Sequence, residues 1–246
     1  MFTREERERL RNDLIAAAHA DDRISGAAVT GSAALDAEDT WSDIDLAFAV
    51  QSEPDQVIAE WTNRMYRDHR AVHHMDVTLG RTVFRVFLLK STLQVDLAFW
   101  PEGEFGATTP KFRLLFGKAN EQEHVETRDA RQLADLAWLH ALHIRSSIAR
   151  GRVWQAEYMI STVRDHVLAL MCLRHGLPSV EGRGLDQLPV QVISGMRETL
   201  VRSLGKEELD VAFRAVVEVL ITEIGLLDVE LAARLAPILR EVSGAP

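Results

Sequence analysis

The stretch that decides the fold reads Gly26-Ala27-Ala28-Val29-Thr30-Gly31-Ser32, then ten residues, then Asp43-Ile44-Asp45-Leu46-Ala47-Phe48-Ala49-Val50. A short apolar run leads into a glycine–serine turn, and a second apolar run opens with two aspartates at alternate positions. Alternate residues of a strand point to the same side. The pattern therefore predicts two strands, with the carboxylates of Asp43 and Asp45 directed at one point.

A third acid, Asp96, lies inside the apolar run Leu93–Phe99. A carboxylate between Val95 and Leu97 is costly to bury without a cation or a donor. Carboxylates that converge on one point repel each other unless cations lie between them, and Mg²⁺ binds carboxylate and phosphate oxygens. An Asp-x-Asp pair alone also occurs in ordinary loops. The whole pattern predicts that Asp43, Asp45 and Asp96 are the catalytic residues and ligands of Mg²⁺, with two ions expected.

The glycine–serine turn suits a polyphosphate. Glycine lets the backbone approach a ligand closely, and a serine at the start of a helix adds a hydroxyl near exposed N–H groups. The residues after Ser32, Ala33-Ala34-Leu35, can form such a short helix. Gly31 and Ser32 are therefore the candidate contacts for a nucleoside triphosphate.

Composition restricts the class of protein. The chain has 246 residues, of which 47% are apolar, and a formal net charge of −9. This charge disfavours general binding to nucleic acid, which depends on Lys and Arg, and favours a small cationic partner. The single cysteine, Cys172, rules out a disulfide framework within the chain. The charged start Met1–Arg7 and the absence of a membrane-spanning apolar run predict a cytoplasmic protein.

Periodicity predicts an α+β fold in two domains: a mixed sheet with helices over residues 1–120, and an all-helical bundle over 121–246. The N-terminal half is predicted to contain helices at 3–20 and 54–69 and strands at 26–30, 44–50, 72–79, 82–89 and 93–99. Gly80-Arg81 is expected to join two of these strands in a tight turn. Helices are expected in the C-terminal half at 129–150, 153–175, 189–204, 206–224 and 228–240.

The motif Gly31-Ser32-x10-Asp43-Ile44-Asp45, with Asp96 on a later strand, resembles that of the DNA polymerase β-like nucleotidyltransferase superfamily. The added helical half resembles, mostly in architecture, the aminoglycoside and lincosamide nucleotidyltransferases. The resemblance implies an Mg²⁺-dependent transfer of a nucleoside monophosphate, usually AMP from ATP, to a hydroxyl. It implies that Asp43 and Asp45 bind metal, and that Asp96 binds metal or deprotonates the acceptor.

This chain departs from the resemblance at one point. Members often carry a basic residue shortly after Gly-Ser, whereas Ala33-Ala34-Leu35-Asp36 follows here. Another cation must then meet the triphosphate. Lys90, Lys111 and Arg113 are candidates, although solvated surface charge is the better explanation of each.

The helical half contributes a possible acceptor site. Glu157, Trp154 and Tyr158 lie near a predicted helix junction and could contact a cationic acceptor. The alternative is an interhelical ion pair, because Glu157 and Arg164 share a helix face, placed beside core aromatic residues.

Three functions remain open on the sequence. The first is a nucleotidyltransferase that modifies a small molecule such as an aminoglycoside-type antibiotic and so confers antibiotic resistance. The second is a toxin–antitoxin nucleotidyltransferase that modifies a protein or tRNA. The third is a nucleotide-binding regulator without activity, which the three acids disfavour. Acceptor, base preference and oligomeric state stay open.

Overall fold

Six strands form one mixed sheet in the computed structural model, which describes residues 1–121 and 128–244. The strands are β1 (Ile24–Thr30), β2 (Ile44–Val50), β3 (Ala71–Leu79), β4 (Thr82–Leu89), β5 (Gln94–Pro101) and β6 (Phe112–Phe116). Their order across the sheet is β3-β4-β5-β2-β1-β6. β2 and β5 run parallel in the middle, and the other neighbours are antiparallel.

Two helices cover one face of this sheet. They are α1 (Arg4–His19) and α2 (Pro54–Asp68). Thr3 and Glu6 form a capping box at the start of α1, and Pro54 stands in the first turn of α2. Leu14 of α1 and Trp61 of α2 belong to one apolar cluster with Phe48 of β2. This covered face is the main core of the N-terminal part.

The opposite face of the sheet is covered only in part. Small side chains (Ala28, Ala47, Ala49 and Ala98) lie there under the fully buried ring of Phe105. The strands β3 and β4 stay open, because Met75, Val77, Leu79 and Leu88 are each about half exposed or more. Since this is also the face of Asp45 and Asp96, the sheet has one packed side and one accessible side.

The chain divides into two compact units, Met1–Val125 and Glu126–Pro246. The second unit contains α3 (Ala130–Ala149), α4 (Val153–Arg174), α5 (Val190–Ile193), α6 (Lys206–Leu227) and α7 (Val229–Ser243). Gly151, with φ of +66°, makes the turn between α3 and α4. Ile144, Ile160 and Val216 are fully buried within one apolar cluster of this unit.

The predicted fold class is confirmed: a mixed sheet with helices precedes a helical C-terminal part. The tight turn at Gly80-Arg81 is also confirmed, since Leu79 pairs with Thr82. Among the helices in the described residues, none is long and apolar enough to cross a membrane.

Two elements differ from the prediction. The strand β6 was not expected, because its five residues include Arg113 and lie at the edge of the sheet. The single helix expected at 189–204 is wrong: the four residues of α5 continue as a 3₁₀ helix, Ser194–Thr199. Gly195 lies within this segment, and glycine favours non-helical backbone by about 1 kcal/mol over alanine.

Candidate functional site

Three aspartates converge on the open face of the sheet. Asp45 of β2 and Asp96 of β5 are direct partners in the parallel register, and Asp43 stands just before β2. One carboxylate oxygen from each residue lies within 4.8 Å of the others, and each residue is half-buried. Because Ile44, between Asp43 and Asp45, is buried on the helix-covered side, the alternation predicted from the sequence brings these two carboxylates to one place.

Asp96 is held in an unfavourable environment for a charge. Its burial and the neighbouring negative charge of Asp43 raise the pKa of Asp96 to about 6, although hydrogen bonds from Gln94 oppose this shift. The amide nitrogen of Gln94 donates to both carboxylate oxygens of Asp96, at 3.0 and 3.1 Å, and to Asp43 at 3.4 Å. A neutral amide thus reduces the repulsion between two acids without cancelling it.

The glycine–serine turn lies directly beside Asp45. Gly31 has φ of +64°, and a Cβ added there would come within 1.9 Å of a carboxylate oxygen of Asp45. Any other residue would therefore displace that carboxylate. Ser32 begins the 3₁₀ helix Ala33–Leu35, and its own hydroxyl makes no capping hydrogen bond there. The turn therefore places the backbone and the Ser32 side chain at the edge of the acid cluster.

A buried arginine fixes the loop that leads to the acids. Arg7 of α1 is fully buried, and its guanidinium donates to the backbone carbonyls of Asp39 and Ser42. Its Nε also lies 3.3 Å from Glu38, which in turn pairs with Arg11 at 2.6 Å. Since Ser42 immediately precedes Asp43, this contact lets α1 fix the position of the first acid of the cluster.

Of the three cations suggested for the triphosphate, Arg113 is the one with a recorded contact near the turn. It pairs with Asp36 at 2.7 Å, at the end of the short helix after Ser32. Its strand β6 lies next to β1, with Arg113 opposite Val29. Lys90 and Lys111 are exposed, and no ion pair of either is recorded among the described residues.

The acceptor candidates of the helical half belong to the second unit. Trp154 and Tyr158 are 74% and 65% exposed on α4, so the alternative that placed them in a core is wrong. Glu157 accepts a hydrogen bond from Ser161, whose hydroxyl accepts one from Arg164. The expected partners Glu157 and Arg164 are thus connected through a serine hydroxyl.

The acid cluster suits a divalent cation by its chemistry. Three carboxylates supply the hard oxygen ligands that Mg²⁺ prefers, and two of them lie on adjacent strands in fixed register. Within the described residues, neither Asp43 nor Asp96 has an ion pair with a basic side chain. Sequence reasoning missed Gln94 and Arg7. Gln94 had a detectable signal, because it is two residues before Asp96 and so on the same face of the strand.

Comparisons with known proteins give weak matches. No protein-family model matches the chain, and a search of curated proteins finds no similar sequence. The structure is similar to that of an aminoglycoside 6-adenyltransferase from Bacillus subtilis, with 12% identity, a TM-score of 0.42 and coverage of 98% of this chain and 99% of the other. It is also similar to the polymerase core of TRAMP, an RNA surveillance complex, with 15% identity, a TM-score of 0.29 and coverage of 89% and 58%. Neither match is close enough to decide the activity.

Proposed function

We propose that this protein transfers a nucleoside monophosphate, AMP from ATP, to a hydroxyl group of a small molecule and releases pyrophosphate. The convergence of Asp43, Asp45 and Asp96, with one oxygen from each within 4.8 Å, is the observation that carries the proposal. The Gly31 turn, which lies directly beside the Asp45 carboxylate, is the part of the chain that we propose contacts the polyphosphate.

The residues of this chain take distinct roles in the proposal. Asp43 and Asp45 would hold Mg²⁺, and Asp96 would complete the ligand set or take the proton of the acceptor. Bound Mg²⁺ supplies positive charge against the polyphosphate and the reacting oxygens. Gly31 and Ser32 would contact the phosphates.

The proposed groups account for the proton, the new bond and the leaving group of the reaction. The acceptor hydroxyl would give its proton to Asp96, its oxygen would form a bond to the α-phosphorus, and the bond from that phosphorus to the bridging oxygen of the departing pyrophosphate would break. Asp96 lies on β5, one strand further than Asp45 from the Gly31 turn. An incoming acceptor and a departing pyrophosphate must lie on opposite sides of the α-phosphorus, so Asp96 is the acid on the acceptor side.

The second unit supports an acceptor of moderate size. Trp154 and Tyr158 are exposed four residues apart on α4, with Glu157 between them. Exposed aromatic rings beside a carboxylate favour a ring-bearing or cationic ligand. An aminoglycoside-type antibiotic combines amines, hydroxyls and rings, and the net charge of −9 favours a cationic ligand of this kind.

The test is a transfer assay with ATP labelled at the α-phosphate, Mg²⁺ and three sets of acceptors: small hydroxyl compounds including aminoglycosides, tRNA, and protein. We expect label on a small molecule, and none when ATP is labelled only at the γ-phosphate. Label on tRNA or protein would favour the toxin–antitoxin function. If no label moves and no pyrophosphate forms, transfer is refuted and a regulatory role remains.

A further inference from the structure

The open face of the sheet continues beyond Asp96 as an apolar row. In the register of the sheet, Asp45 pairs with Asp96, Asp96 with Val86 of β4, and Val86 with Met75 of β3. Residues directly opposite each other in a sheet share a face. Neighbouring strands are about 4.8 Å apart. Val86 and Met75 therefore lie about 5 and about 10 Å beyond Asp96, on the same side of the sheet.

The rows on either side of this one are apolar as well. Leu88 lies opposite Gln94, and Phe84 lies opposite Ala98, so both share the face of Asp96. Met75 is 56% exposed, Val77 50%, Leu79 69% and Leu88 49%. His73, opposite Leu88, is the titratable side chain at one end of this surface. We call the surface formed by Met75, Val77, Phe84, Val86 and Leu88 the apolar strip.

The strip and the turn lie on opposite sides of the acids. The order across the sheet runs from β1, which ends at the Gly31 turn, through β2 and β5 with the acids, to β4 and β3 with the strip. If the polyphosphate lies at the turn, an in-line displacement requires the acceptor to approach from the side of the strip. The acceptor hydroxyl at Asp96 then places the adjoining part of the acceptor over Val86 and Met75.

We propose that the apolar strip is the acceptor subsite, and that the acceptor is an amphipathic hydroxyl compound with an alkyl or aromatic segment beside the hydroxyl that receives the nucleotide. The burial of apolar side chains next to a reactive group stabilises a complex when the bound partner is itself apolar at that place. The proposal rests on the proposed transfer to a small-molecule hydroxyl, and it replaces the polar aminoglycoside as the expected acceptor with an amphipathic compound. It makes Met75 and Val86 specificity-determining residues.

The test compares two variants that change polarity with little change in size, Met75→Gln and Val86→Thr, with Thr78→Gln. Thr78 lies on β3 opposite Val83, on the other face of the sheet from Met75. With the acceptor found in the transfer assay, we expect the KM for that acceptor to rise about tenfold in M75Q and in V86T, because one apolar contact changes specificity by about 10- to 200-fold. In both variants the KM for ATP should stay within about twofold of the wild-type value. In T78Q the KM for the acceptor and the KM for ATP should both stay within this range.

A second arm uses acceptors alone. Phenyl and methyl glycosides of the same sugar differ only in the apolar group, and we expect the wild-type protein to favour the phenyl compound about tenfold or more, and M75Q to reduce that preference. Unchanged acceptor KM values in both variants, or equal use of the two glycosides, would overturn the subsite while transfer itself stands. Absence of transfer to every acceptor would overturn both. Because Met75 is largely exposed, M75Q remains informative even if V86T fails to fold.

Discussion

Asp96 and Glu223 are both acids within apolar elements, but the chain neutralises only one of them. Glu223 of α6 is 5% exposed and receives two hydrogen bonds from Arg174, at 2.9 and 3.2 Å. Among the described residues, Asp96 receives hydrogen bonds only from the neutral amide of Gln94, and it faces the charge of Asp43. The first arrangement is complete within the folded chain. In the described part of the chain no basic side chain pairs with Asp96, so we propose a cation from outside the chain as its partner, and this difference separates a structural ion pair from a candidate catalytic site.

The largest effect is expected where the external charge would bind. Asp45→Asn keeps the shape of the side chain and removes one ligand of the cluster, so we expect transfer of the labelled nucleotide to fall about a thousandfold, or about 4 kcal/mol in the activation barrier. Initial rates with α-labelled ATP measure this loss.

Asp76→Asn is the matched control for that variant. Asp76 is also an aspartate of the sheet, but it pairs with Arg85 on the other face. Its variant should transfer at close to the wild-type rate. Comparable losses in both variants would mean that the convergence of the three acids does not explain the activity.

Arg7 tests how far the site depends on α1. Arg7→Met removes the buried guanidinium that contacts the carbonyls of Asp39 and Ser42 and leaves Glu38 with Arg11 alone. We expect the free energy of unfolding to fall by about 3 kcal/mol, in the range for breaking a buried ion pair from one side. Urea unfolding measures it, and binding of Mn²⁺, followed by electron paramagnetic resonance, should weaken in parallel.

The comparison for Arg7 is Arg11→Met, which removes the more exposed partner of the same glutamate. It leaves the two carbonyl contacts in place, so both losses should be smaller. If Arg7→Met binds Mn²⁺ with unchanged affinity, the loop before Asp43 is positioned by other contacts.

The buried Glu223 and the half-buried Asp96 should respond to neutralisation in opposite directions. Glu223→Gln leaves Arg174 without its counter-ion, and we expect the free energy of unfolding to fall by about 2 kcal/mol, below the usual range because Arg174 is 35% exposed. Asp96→Asn removes a charge that burial and the neighbouring charge of Asp43 disfavour. Without added metal, we therefore expect the melting temperature of this variant to rise by a few degrees, since about 1 kcal/mol of unfolding free energy corresponds to a shift of roughly that size.

Scanning calorimetry in chelator measures both melting temperatures, and we expect the Asp96→Asn protein to be inactive in the transfer assay. A decrease in stability for both variants would mean that Asp96 is satisfied by the chain in the same way as Glu223. The stability–activity trade-off expected of a functional site would then be absent.

The acid cluster was predictable because its determinants are local. Asp43 and Asp45 differ by two positions in an apolar strand, and Asp96 interrupts another apolar strand, so strand periodicity alone assigns their faces. What the sequence leaves open is which strands are neighbours. The parallel pairing of β2 with β5 joins residues about fifty positions apart, and only this pairing brings Asp45 opposite Asp96.

The features that the sequence did not predict, Arg7 and β6, also depend on contacts between residues far apart in the chain. In the sequence Arg7 is one of many charged residues on α1, and its contacts with Asp39 and Ser42, 32 and 35 residues away, distinguish it. The edge strand β6 is held by its pairing with β1. The expected helix at 189–204 fails for a local reason, since Pro189 and Gly195 restrict the regular helix to four residues.

The smallest effect is expected at the exposed counterpart of these buried charges. Glu218 of α6 accepts two hydrogen bonds from Arg240 of α7, both at 2.8 Å, and they hold the pKa of Glu218 below its usual value of 4.5. A carboxylate with a lowered pKa contributes stability above the pKa of the unfolded chain and loses it as the pH falls through the pKa of the folded protein. Because both side chains are 45% exposed, Glu218→Gln should cost at most about 1 kcal/mol at pH 7, with no difference from wild type once the pH is well below 4. A double-mutant cycle with Arg240→Met, measured by urea unfolding at both pH values, isolates the pair. A coupling energy of about 3 kcal/mol would make this exposed pair as strong as the buried pair of Glu223 and Arg174. The distinction between exposed and buried charge, on which the assignment of Asp96 depends, would then be lost.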